Sequence, residues 1–80
     1  MRTYLLCHRH RPSECRIVFA AWKGFDSPLR RSPVLASCDC GDHAMWWTAR
    51  AIDQDTALGQ LPPYVATRTE AVEVSELTIQ

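Results

Sequence analysis

The stretch RTYLLCHRH, residues 2–10, has the alternating pattern on which the fold prediction depends. It is rich in β-forming residues, and its side chains alternate between two sides with the period of a β-strand. One side would hold Tyr4, Leu6, His8 and His10, and the other would hold Thr3, Leu5, Cys7 and Arg9. We interpret this stretch as a strand whose two histidines share a face.

The segment that follows, residues 11–25, predicts a helix. Pro12 suits the first turn of a helix, Glu14 suits its positive end, and Gly24 suits the position just beyond its last residue. At helical spacing the buried stripe of this helix would contain Cys15, Val18 or Phe19, and Trp22.

The remaining elements complete a recognisable order. Residues 34–38 and 43–52 predict a hairpin, residues 53–61 predict a helix with Asp53 as its N-cap, and residues 70–79 predict a last strand. The order strand, helix, strand, strand, helix, strand is that of a ferredoxin-like βαββαβ fold. We therefore predict an α+β protein, with a four-stranded antiparallel sheet and two helices on one face, formed as a single domain over residues 1–80.

This element order, in a short chain rich in tryptophan, resembles the dimeric α+β-barrel proteins, a group that includes muconolactone isomerase-like and YCII-like domains. The resemblance covers the whole element order and involves no specific motif. It implies that two sheets pack face to face in a homodimer and that a ligand pocket lies between sheet and helices.

Composition narrows the class of protein. The chain has 80 residues, is 46% hydrophobic and carries a formal net charge of zero. A chain this short forms a marginal core on its own, which favours self-association as a homodimer. No apolar run spans a membrane and no signal peptide is recognisable, so a cytoplasmic location is the default prediction. Nucleic-acid binding would require a basic domain and a known motif, and neither is present.

Thiols and imidazoles converge in the predicted topology. The stretch SCDCGDH, residues 37–43, contains two cysteines and a histidine in the hairpin turn. Because the first two strands would run parallel, the end of the first strand lies at the same edge as this turn. Cys38, Cys40, His43 and His10 would then supply a Cys2His2 set for zinc, with His8 as a substitute for His10; the same ligands suit copper.

The function that we predict from the sequence is a small-molecule pocket without a cofactor at this same edge of the sheet, and the metal site is the alternative. His10 and His43 would act as acid and base near neutral pH, in chemistry of the isomerase or cyclase type. The remaining ligand-binding candidates are His8, Trp47 and Tyr64 as pocket residues, and Arg30 and Arg68 as partners for an anionic group. A third interpretation is a structural or regulatory dimer without a site. The sequence leaves open whether the protein is an enzyme and whether its cofactor is zinc or none.

Overall fold

One antiparallel sheet organises the chain. The structure, a computed structural model, describes residues 1–80 apart from the side chain of Asp39. Its strands are β1 (Arg2–Arg9), β2 (Leu35–Ala36), β3 (Ala44–Ala51) and β4 (Thr69–Val74). They form an open sheet in the order β2-β3-β1-β4, and every neighbouring pair is antiparallel. The predicted antiparallel sheet of four strands is confirmed, and β1 lies inside it with a partner on each side.

The helices are shorter than the sequence predicts. They are α1 (Cys15–Ala20), α2 (Gln54–Leu58) and α3 (Pro63–Ala66), and further single turns of 3-10 helix lie at Pro12–Glu14, Pro28–Arg31 and Cys38–Cys40. Three short helices therefore stand where two longer ones were predicted. Among the described residues, no helix has the length and apolar character that crossing a bilayer requires.

The early end of α1 has a physical cause in its side chains. Val18 is its buried residue, whereas Ile17 and Phe19 are 49% and 56% exposed. Short helices depend on packing an apolar face, and one buried side chain provides little of it. The chain leaves the helix through turns that end at Gly24, whose φ of +74° is easily adopted by glycine. By contrast α2 has the predicted N-cap, because the Asp53 side chain accepts a hydrogen bond from the backbone N–H of Thr56 at 2.7 Å.

The core lies on one face of the sheet. Leu6 is fully buried and stands opposite Trp47 on β3 and Ala71 on β4. All three helices bury a residue in the same cluster: Val18, Ala57 and Val65. The alternation predicted for β1 is confirmed, since the buried side chains of residues 2–10 are Tyr4, Leu6, His8 and His10.

The opposite face of the sheet carries apolar side chains without a covering layer of helices. Leu5 stands opposite Val72, and Cys7 stands opposite Trp46, which is itself opposite Leu35. Val72 is 44% exposed and Leu35 is 74% exposed. Helices therefore occupy one layer of the domain, and an apolar sheet face forms part of its surface.

Leu6→Ala tests the position of the core. Removing a fully buried leucine from the central strand should lower the free energy of unfolding by about 2–5 kcal/mol. Ile52→Ala is the matched control, because Ile52 is 65% exposed and its truncation should change stability by less than about 0.5 kcal/mol. Urea denaturation followed by tryptophan fluorescence measures both, and equal effects would contradict this placement of the core.

Candidate metal centre

Four side chains from distant parts of the sequence meet at one edge of the sheet. They are His10, Cys15, Cys38 and His43, and one ligand atom from each lies within 4.8 Å of all the others. We call this group the His2Cys2 cluster. His10 is buried and the other three side chains are partly buried. Two thiols and two imidazoles in one partly enclosed space form a donor set that zinc commonly accepts.

Three of the distances within the cluster are close to those of a metal-bound set, and all six are within 4.8 Å. Cys15 Sγ lies 3.2 Å from His10 Nε2 and 3.1 Å from His43 Nδ1. Cys38 Sγ lies 3.7 Å from His10 Nε2. Tetrahedral zinc, with bonds of about 2.0 Å to nitrogen and 2.3 Å to sulfur, places its ligand atoms roughly 3.3–3.8 Å apart. Small side-chain adjustments would therefore bring all four atoms to bonding distance of one ion.

The backbone explains why these four residues meet. His10 follows the last residue of β1, and its N–H donates to the carbonyl oxygen of His43 at 3.0 Å. Cys38 opens the 3-10 turn between β2 and β3, which ends at Gly41 with a φ of +92°. That left-handed conformation suits glycine and returns the chain towards β3. The hairpin turn therefore supplies two members of the His2Cys2 cluster and the end of β1 supplies a third.

The fourth member of the cluster, Cys15, is positioned by a polar anchor at the start of its helix. The Glu14 carboxylate accepts hydrogen bonds from the Arg11 N–H at 2.8 Å, from the Tyr64 hydroxyl at 2.7 Å and from Arg68 Nε at 3.1 Å. The backbone hydrogen bond from Arg11, together with those from Tyr64 and Arg68, lowers the pKa of Glu14 to about 2. The hydrogen bond to Glu14 raises the pKa of Tyr64, because the carboxylate accepts the phenolic hydrogen and so stabilises the protonated form.

A hydrogen-bonded row of residues stands behind His10. His10 Nδ1 lies 3.1 Å from His8 Nε2, and His8 Nδ1 lies 3.0 Å from the hydroxyl oxygen of Thr69. The Thr69 hydroxyl donates to the carbonyl oxygen of Val65 at 2.6 Å. Burial lowers the pKa of both imidazoles. The pKa of His8 is lowered further by His10, and the pKa of His10 is lowered further by His43. Neutral imidazoles are the form that binds metal ions.

The residues predicted for the metal site are brought together in part. Cys38, His43 and His10 are members of the His2Cys2 cluster. Cys40 is exposed and lies outside it, and Cys15 completes the set instead. The sequence pattern instead predicts Cys15 in the buried stripe of a helix. The signal that would have found it is its position at the start of that helix, five residues after His10 and thus at the same edge of the sheet.

The residues predicted for a small-molecule pocket are divided between different places. Trp47 and Arg30 both border a cleft of about 290 Å³ whose other walls include Phe19 and Trp22. Tyr64 and Arg68 instead hold Glu14, with the Arg68 guanidinium 3.7 Å from the centre of the Tyr64 ring. His8 is fully buried behind His10. The predicted pocket residues therefore do not line one common binding site.

Comparison with known proteins adds no assignment. No family model matches the chain, and neither a curated protein nor a solved structure matches it. The function must therefore be argued from the geometry of the His2Cys2 cluster.

Glu14→Gln tests the polar anchor in protein kept metal-free with a chelator. The folded-state pKa of about 2 is below the ordinary value of 4.5, so ionised Glu14 stabilises the fold above pH 4.5. That stabilisation is lost as the pH falls from 4.5 towards 2. Glu14→Gln should be less stable at pH 6, and its stability should fall less steeply across this range. Urea denaturation at several pH values measures both slopes, and parallel curves would contradict the anchor.

Proposed function

We propose that this protein is a zinc-binding domain and that the His2Cys2 cluster holds the ion. The observation that carries the proposal is the meeting of four ligand atoms within 4.8 Å of one another, from residues as far apart in sequence as 10 and 43. Two thiolates and two imidazoles complete a tetrahedral shell, which is the arrangement of structural zinc sites. A shell filled by the protein leaves no position for substrate, so the proposed role of the ion is stabilisation of the fold.

A bound ion would stabilise the part of the domain that packs least. Helix α1 buries only Val18 among its six residues, and β2 is two residues long. Zinc would join the start of α1 and the hairpin turn to the end of the buried strand β1. Because a chain of 80 residues has a marginal core, such a link is a common requirement of small domains. A cytoplasmic location, as predicted, would keep both thiols reduced and available to the ion.

The competing hypothesis, proton transfer by His10 and His43 on a small molecule, has less support. His10 Nε2 and His43 Nδ1 both face the Cys15 sulfur at hydrogen-bond distance. The cleft beside Trp47 and Arg30 has the volume of a small ligand site, and neither histidine is among the residues that line it. The donor set therefore favours a metal ion over general acid–base chemistry.

We also propose that the fold is ferredoxin-like. The support comes from the strand order β2-β3-β1-β4 with antiparallel neighbours, in which β1 and β2 are parallel to each other and separated by β3. The same relation holds for β3 and β4 across β1. Two interleaved strand–helix–strand units of this kind define the ferredoxin-like pattern.

The zinc proposal is tested by elemental analysis of untagged protein purified under reducing conditions without chelator. We expect about one zinc per chain, and the same assay would reveal copper. Cys15→Ser should lose the metal and lower Tm by roughly 8 °C or more, since loss of a structural ion costs at least about 2 kcal/mol in a domain of this size.

Cys40→Ser is the matched control, because Cys40 is exposed and outside the cluster. It should retain the metal and the wild-type Tm. Wild-type protein that takes up no zinc on titration would overturn the proposal, and equal metal loss in both variants would overturn the ligand assignment.

A homodimer formed through the bare sheet face is our proposal for the state of the protein in solution. The face carries Leu5 at its centre, Val72 beside it on the edge strand β4, and Trp46 on β3. Glu70 lies at one corner and Arg50 lies at the diagonally opposite corner. A two-fold axis in the plane of the interface, perpendicular to the line from Glu70 to Arg50, would place each Glu70 over Arg50 of the second copy. A face that carries both signs of charge in this way is complementary to itself, as a closed two-fold interface requires.

Val72→Lys tests the homodimer by placing a charge beside Leu5, in the middle of the β4 strand on this face. Wild-type protein should sediment with the mass of two 9.1 kDa chains at micromolar concentration, and the variant should sediment as one chain. Ile17→Lys introduces the same charge at an exposed position of α1, in the helical layer on the other side of the sheet, and should leave the mass unchanged. A single-chain mass for the wild type would contradict the proposed dimer.

A further inference from the structure

We infer that Thr69 and His8 are positioning residues that determine which nitrogen of His10 is free to bind the metal. The inference rests on the proposed zinc function, because it concerns an outer layer of the same site. It depends on a row of hydrogen bonds. The donor and the acceptor of each bond can be assigned in turn, starting from the end of the row at which only one assignment is possible.

That end is the carbonyl oxygen of Val65. A carbonyl oxygen only accepts hydrogen bonds, so the Thr69 hydroxyl, at 2.6 Å, must donate its single proton to it. The hydroxyl oxygen then has only lone pairs to offer its second neighbour, His8 Nδ1, which lies 3.0 Å away. His8 Nδ1 must therefore carry a hydrogen and donate it to Thr69.

The direction of hydrogen donation continues through the His8 ring. His8 is fully buried, and the side chains at hydrogen-bond distance from its ring nitrogens are Thr69 and His10. The backbone of Val65 and of Arg68 also hydrogen-bonds to the ring, and none of these groups is an acid. A buried imidazole without a carboxylate partner is held in its neutral form, which has one N–H. Because Nδ1 carries that hydrogen, Nε2 is an acceptor, and His10 Nδ1, at 3.1 Å, must be the donor.

The result is a defined tautomer of His10. With the hydrogen on Nδ1, the lone pair on Nε2 points to the two sulfurs, at 3.2 Å from Cys15 and 3.7 Å from Cys38. In metal sites an outer hydrogen bond to the far nitrogen orients the ring and increases the basicity of the ligand nitrogen. Here that function is carried by a second histidine and a threonine, and it links the start of β4 to a ligand at the end of β1.

The experiment compares Thr69→Val with Thr69→Ser in the full chain. Valine has nearly the shape of threonine but cannot accept the His8 hydrogen, whereas serine keeps the hydroxyl. Zinc affinity is measured by competition with a chromophoric chelator. We expect Thr69→Val to bind zinc roughly 10- to 100-fold more weakly and Thr69→Ser to remain near the wild type.

The second readout is the tautomer itself, from long-range ¹H–¹⁵N NMR of the imidazoles in zinc-free and zinc-loaded protein. We expect the hydrogen of His10 on Nδ1 in both states of the wild type, and a loss of this preference in zinc-free Thr69→Val. A merely structural role for Thr69 would change stability without moving the tautomer. A wild-type His10 with its hydrogen on Nε2, or equal zinc affinities for the two variants, would overturn the inference.

The two proposals fail in different ways. If wild-type protein binds no zinc, the zinc-site proposal is overturned and with it the metal role of Thr69 and His8. If zinc binds but the His10 tautomer is the opposite one, the metal site stands and the positioning role is overturned.

Discussion

The pairing of β1 on both of its edges is the constraint on which the rest of the structure depends. Its partners β3 and β4 hold it in the interior of the sheet, and its alternating side chains must then occupy two faces. Leu6 enters the core because it shares a face with Tyr4 and His8. The same alternation puts His8 and His10 on the face that the helices cover, where both side chains are buried. The geometry of the His2Cys2 cluster thus begins with the register of one strand.

Two buried histidines would be costly to a small domain if their nitrogens had no partners. In this protein each ring nitrogen of His8 and His10 has one, from Thr69 on one side to Cys15 on the other. The row ends at a backbone carbonyl in one direction and at two thiols in the other. A metal ion bound at the thiol end would connect this row of hydrogen bonds to α1 and the hairpin turn, and would thereby link both of them to the sheet.

The polar anchor around Glu14 and the His2Cys2 cluster act on the same segment from two sides. Glu14 ties the start of α1 to Tyr64 and Arg68 beyond it, and Cys15, the next residue, turns towards the histidines. Tyr64 and Arg68 are therefore accounted for by structure, although the sequence suggested a ligand pocket for them. Helix α1 is held mainly at its first turn, which agrees with its early end and with the exposure of Phe19.

Sequence patterns alone determined the elements whose signal is local. The alternation in residues 2–10 and the N-cap at Asp53 depend on neighbouring residues, and each agrees with the structure. The edge at which His10, Cys38 and His43 meet was also predictable, because chain order restricts the topology. Which cysteine completes the set was not. Cys15 and Cys40 are both a short distance from that edge, and the choice depends on how far α1 extends and which way the 3-10 turn faces. Those are properties of packing between distant segments, so only the tertiary structure decided them.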